Sequence, residues 1–193
     1  MQSMTNRLVL LTVIIFFARM TIFGNNYSGL ELFNWQTNNF KPWQLLTHMF
    51  LHADHWHLTF NMIALWSFGN VLERTWGKKN FLIFYLLSGI GAAVISQLVD
   101  TYLYSKISYT ATVGASGGVY GLLAAFALVY PNFKITLLFL PIPIAAKYFV
   151  PALLLIDLTA GITGFSIFGA NIAHFAHIGG AIVGLILAKF WLK

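Results

Sequence analysis

Cysteine is absent from this 193-residue chain. That excludes a disulfide framework and any thiolate metal site. Charge is nearly as scarce. Asp, Glu, Lys and Arg make up 8% of the residues, where a soluble domain carries roughly 25%. With 59% hydrophobic residues, the chain reads as one whose solvent is lipid. Internal repeats, low-complexity tracts and linkers are missing too, so residues 1–193 read as a single domain. The charge balance is basic, 11 Lys and Arg against 5 Asp and Glu, a formal net +6. In a membrane protein basic residues collect on the cytoplasmic side, so no nucleic-acid partner is inferred from them.

What is abundant is apolar sequence in runs near the ~20 residues that cross a bilayer. We expect an all-α bundle of six spans, at about 7–24, 55–73, 80–99, 111–130, 146–163 and 171–191. The first run lacks a short apolar core ending at a small-residue cleavage site and reads as a retained span. Pro141, Pro143, Lys147 and Pro151 interrupt the apolar stretch from Ile135 to Ile156. Residues 131–146 therefore read as a connection, with span five beginning near Lys147; one long kinked span is the alternative. With the N-terminus cytoplasmic, Arg7, Arg74, Lys78, Lys79, Lys134, Lys147, Lys189 and Lys193 lie inside. Lys41, Lys106 and Arg19 lie outside, a bias of eight to three. Residues 25–54 then form a long outer loop.

Polar groups inside spans are costly and call for a reason. Spans two, four and six all start on the outer side. His57 and Asn61 open span two. Ser116 and His177 fall roughly 7–9 Å below the starts of spans four and six. The four groups can meet at one depth. Ser116 sits in Gly114-Ala115-Ser116-Gly117, where unpartnered helix N–H groups are ready donors for an oxyanion. Gly117 and Gly121 form one GxxxG stripe, and Gly180 and Gly184 another. Facing each other, they let two helices approach closely and bring Ser116 to His177. Tyr120, four residues on, can pack on the His177 ring and orient it. His57 and Asn61 share a face and, with the Ser116 N–H, can form an oxyanion hole. The alternative for each of these groups is plain helix packing or mutual hydrogen bonding.

Asp54, Asp100 and Asp157 fall at span ends or in loops, so the pattern points to a Ser–His dyad with no third carboxylate. His174 is a rival base, without the glycine spacing below it. His48 and His52 could hold a metal, but no HExxH or well-placed Glu accompanies them. They read instead as ties between the outer loop and the bundle, and neither metal nor cofactor is expected.

In these motifs the chain resembles the rhomboid intramembrane serine proteases, in their basic six-span bacterial form. The resemblance runs from about Trp43 to Gly184. His48, His52, His57 and Asn61 follow the family's HxxxHxxxxHxxxN order, and Glu73 and Gly77 follow. Gly114-Ala115-Ser116-Gly117 with Tyr120 matches the nucleophile motif, and Ala176-His177-Ile178-Gly179-Gly180 with Gly184 the base motif. The resemblance implies hydrolysis of peptide bonds in or near transmembrane segments. Ser116 would be nucleophile and His177 base, with His57, Asn61 and the Ser116 N–H holding the oxyanion. It further implies transmembrane protein substrates, contact with membrane lipid, a bacterial inner-membrane location and a site open to the outer side. One departure lies in the outer loop, where Trp43-Gln44 replaces the Trp-Arg of many members. An inactive adaptor or chaperone of the same fold is the alternative function. A transporter built on the histidines is a further rival.

Overall fold

The computed structural model describes residues 3–22, 29–103, 111–137, 140–165 and 172–191. Helix α1 spans Met4–Thr21. Ser3 caps it by accepting from the Asn6 amide, and the Glu73 carboxylate accepts from the Met4 and Thr5 amides, each at 2.8 Å. A carboxylate at a helix N-terminus satisfies otherwise unpartnered N–H groups and opposes the positive end of the helix dipole. Glu73 thereby ties α1 to α3.

After a short α2, Gln44–Thr47, and a 3-10 turn, His48–Phe50, helix α3 runs His55–Tyr102. Asp54 caps α3 by accepting from the His57 amide. The helix breaks at Gly77, whose φ of 79° and ψ of 160° are non-helical and suit a residue without Cβ. Its two parts lie on either side of Gly77.

Helix α4 is Ser116–Val129. It begins five residues later than expected. Residues 111–115 are instead non-helical, with Leu32 and Thr112 exchanging two backbone hydrogen bonds. Gly114, at φ 132°, is incompatible with a helix. At 1.5 Å per residue, α4 is only about 21 Å long. It is buried over most of its first three turns, as a helix apolar all round should be. It forms the centre of the bundle, against α3 and α6.

The described chain is mostly helical, as expected, but the connection 131–146 carries strand. β1 (Lys134–Leu137) pairs antiparallel with β2 (Leu140–Ala145) in a small hairpin. Pro141 and Pro143 have no N–H for a helix ladder, and the β-branched Ile135, Thr136, Ile142 and Ile144 favour extended chain. Helix α5 follows as Ala146–Thr163, starting beside Lys147 as expected, and ends at left-handed Gly164. Helix α6 is His174–Trp191.

Among the described residues, four helices are long and apolar enough to cross a bilayer: α1, α3, α5 and α6; α4 is apolar but shorter. Large apolar side chains point outward, among them Ile14, Phe17, Trp56, Phe60, Trp66 and Phe190. The chain is an integral membrane protein, with apolar surface where a soluble protein would place charge.

Candidate active site

The α4–α6 contact positions the site. A Cβ on Gly180 would stand 1.9 Å from the Gly117 carbonyl oxygen, and one on Gly184 would stand 2.5 Å from that of Gly121. Only glycine permits this approach. On the other side of α4, Ala92 and Ser88 of α3 fill the space beside Gly117 and Gly121. The backbones therefore meet one turn below the polar residues.

Ser116 opens α4, and His177 is the fourth residue of α6. His177 Nε2 lies 2.9 Å from Ser116 Oγ. The Tyr120 ring stacks on the imidazole, with centroids 4.1 Å apart and planes 10° from parallel. That stacking restricts rotation of the histidine ring. Ala115 makes no side-chain cap for α4, so no such cap occupies the first-turn N–H groups next to Ser116.

Asp157 overturns the expectation that no carboxylate is placed near the pair. It lies inside α5, fully buried, and Oδ1 sits 3.0 Å from His177 Nδ1 and 2.6 Å from His174 Nδ1. The Tyr120 hydroxyl donates to Oδ2. With the carboxylate ionised, both imidazoles donate from Nδ1. His177 then carries its proton on Nδ1 and presents an Nε2 lone pair to Ser116. The three groups have the spatial order of a serine hydrolase triad. The expectation put Asp157 at a span end or in a loop, although the expected fifth span, 146–163, already contained it. The signal that could have found it is the cost of any carboxylate inside a span, which makes it a functional candidate by default.

His174 makes its described hydrogen bond to Asp157, and its ring lies 6.2 Å from that of His177. Of the two histidines, His177 is the one whose described hydrogen bonds include Ser116. The Asp157, His174 and His177 ligand atoms fall within 4.8 Å of one another, close enough for a metal ion.

His57 approaches from α3. A Cβ on Gly114 would meet its Cε1 and Nε2 at 2.7 Å, so the ring lies against the segment two residues before Ser116. The Asn61 amide donates one hydrogen to the His57 carbonyl at 2.8 Å, leaving its second N–H for another acceptor. Asn61 Oδ1 is buried with no hydrogen-bond partner among the described residues.

The outer loop is held by buried polar side chains. Gln44 is fully buried. Its Oε1 accepts from the Phe33 and Lys41 amides, and its Nε2 donates to the Gly29 and Asn39 carbonyls. A neutral amide thus organises the loop. His48 Nδ1 is 2.8 Å from the Gln44 carbonyl, and the His48 carbonyl accepts from the Gly114 amide. His52 packs edge-on against His57. Burial depresses the His48 pKa to about 4 and that of His52 to about 3, so both are neutral near pH 7. These two histidines link the loop to the backbone leading into Ser116.

The Rhomboid domain family model matches residues 39–193. The chain is 33% identical over 148 residues to the mitochondrial Rhomboid protein 1 of Saccharomyces cerevisiae, an alignment covering 75% of this chain and 40% of that protein. It is 36% identical to Rhomboid protease GluP of Bacillus subtilis over 76% of this chain and 25% of the relative. It is 29% identical to Rhomboid protease AarA of Providencia stuartii over 96% of this chain and 71% of the relative. The chain therefore spans well under half the length of the first two. With most of its residues matched by the family model, the chain belongs to the rhomboid family.

Proposed function

We propose that this chain is a serine endopeptidase that cuts membrane proteins in or near their transmembrane segments. The observation that carries the proposal is the 2.9 Å approach of His177 Nε2 to Ser116 Oγ. In this reading Ser116 Oγ attacks the scissile carbonyl carbon while His177 Nε2 takes the hydroxyl proton. The imidazolium then protonates the departing amine. Water hydrolyses the acyl-enzyme by the reverse sequence of proton transfers. Asp157 holds His177 in the required tautomer and faces the positive charge as it forms. The Ser116 N–H, His57 and the free N–H of Asn61 supply the oxyanion donors. Tyr120 keeps the base from rotating, and Gly117, Gly121, Gly180 and Gly184 set its distance.

The two parts of α3, with α1, α4, α5 and α6, correspond to six membrane segments. In this reading the protein lies in a bacterial inner membrane with its N-terminus in the cytoplasm and the site toward the outer side; the basic bias supports that orientation. Substrates with small or helix-breaking residues near the cut should be preferred, because exposing a peptide bond then costs less helix. The relatives named as proteases support this reading for the matched region. The test is cleavage of a labelled single-span protein by purified enzyme in detergent. Cleavage that vanishes in both Ser116→Ala and His177→Ala supports the proposal. Cleavage undiminished in either one refutes it.

A further inference from the structure

We infer that Asp157, His174 and His177 form a binding site for Zn²⁺, and that its occupancy switches the proposed peptidase off. The inhibitory half rests on the reading of His177 as base; the binding half does not. Two imidazoles and a carboxylate are preferred zinc ligands. Asp157, His174 and His177 each offer one ligand atom, these atoms lie within 4.8 Å of one another, and all three residues are buried. Zinc–ligand distances of about 2.0–2.2 Å put tetrahedral ligand atoms roughly 3.3 Å apart. The present separations from Oδ1 are 2.6 and 3.0 Å, so the atoms need move by less than an ångström there.

The surrounding bonds are those of a supported metal site. Tyr120 donates to Asp157 Oδ2, leaving Oδ1 for the metal. Ser116 Oγ sits at Nε2 of His177, ready to accept once that nitrogen carries the proton. Such outer partners orient ligands and strengthen binding. The fourth position falls to water.

The consequence follows from proton positions. With Asp157 ionised, both histidines hold their protons on Nδ1, facing it. To ligate, each neutral imidazole moves that proton to Nε2 and gives its Nδ1 lone pair to the metal. No net proton is lost and nothing is oxidised. His177 then offers Ser116 an N–H donor in place of a lone pair, and cannot act as base. Zinc and proton thus compete for the same nitrogen.

Binding is measured on the wild-type protein without substrate, so that Ser116 remains at His177 Nε2. Zn²⁺ is titrated calorimetrically and Co²⁺ by its visible absorption. We expect one ion per chain, with affinity falling at least about tenfold in His174→Ala. Wild-type cleavage should fall with Zn²⁺ and recover with EDTA. His174→Ala should cleave in metal-free buffer and need at least about tenfold more Zn²⁺ for inhibition. His174→Gln, whose amide can still donate to Asp157, replaces alanine if that variant does not fold. Zinc binding or inhibition unchanged by both His174 variants overturns the inference, as does cleavage indifferent to saturating Zn²⁺. One zinc bound through His174 by a chain that never cleaves would sink the peptidase reading and keep the metal site. Cleavage by a chain that binds no zinc does the reverse.

Discussion

Replacing Asp157 by alanine separates a Ser–His pair from a three-membered relay. The variant removes the 3.0 Å bond to His177 Nδ1 and leaves the Tyr120 ring stacked at 4.1 Å. The imidazole therefore keeps its plane but loses the acceptor that selects its tautomer. A hydrogen bond to a charged group contributes about 1.5–3 kcal/mol, which corresponds to roughly 10- to 160-fold in rate. We expect kcat to fall by that factor, with KM for a single-span substrate within about threefold, because Asp157 acts through His177 and does not hold the substrate. Asp157→Asn, a neutral isostere, should fall between the two. The same change strips an acceptor from His174 and Tyr120, so some loss of thermal stability accompanies it. Assays are run well below the variant's Tm, after circular dichroism shows intact helix. A folded Asp157→Ala enzyme with kcat within about twofold of wild type would refute the reasoning, because the lost bond would then carry almost nothing of the 1.5–3 kcal/mol.

Gly180→Ala should destabilise by at least about 1–3 kcal/mol and cut activity steeply, since the added methyl meets the Gly117 carbonyl at 1.9 Å. A Tm and kcat like wild type would show that α4 and α6 do not pack as described. Gln44→Ala takes its side-chain partner from the Phe33 and Lys41 amides and the Asn39 carbonyl, and leaves the Gly29 carbonyl with Trp43 Nε1 alone. It should cost about 1–3 kcal/mol and speed proteolysis within residues 29–47, with the Ser116 chemistry intact in the surviving folded protein. Stability should fall as pH drops below 6.5. His48 and His52 bind protons in the unfolded chain near 6.5 but in the folded chain only near 4 and 3. Between those values the unfolded state holds more protons, so each histidine removes about 1.4 kcal/mol per pH unit. A Tm that stays level from pH 7 to pH 5 contradicts this.

Much of the site was legible because it depends on spacing along helices. The pairing of His177 rather than His174 with Ser116 follows from Gly180, one turn below His177 and against Gly117. The Tyr120 stack follows from its place four residues after Ser116. Asp157 was set aside as a span-end residue, although the expected span 146–163 contains it; its presence inside a span was legible, and only its face, which depends on how α5 rotates against α6, was not. The start of α4 was misplaced for a related reason. Residues 111–115 are mostly apolar and small and count toward a hydrophobic run, but hydropathy carries no information about the φ of Gly114. The hairpin at 134–145 was hidden by the same apolar composition, although Pro141 and Pro143 marked the stretch as unsuited to helix. Gln44 illustrates the opposite case. The sequence showed a missing arginine, and only the fold shows four backbone groups satisfied by the amide that replaced it.

The most direct test of the central claim is where a fluorophosphonate attaches. Purified protein is incubated with the reagent, and the adduct is located and timed by peptide mass spectrometry. The account predicts one adduct, on Ser116, formed at least about 100-fold more slowly in His177→Ala and at nearly the wild-type rate in His174→Ala. An adduct on another residue, or labelling of Ser116 that ignores His177, would contradict it.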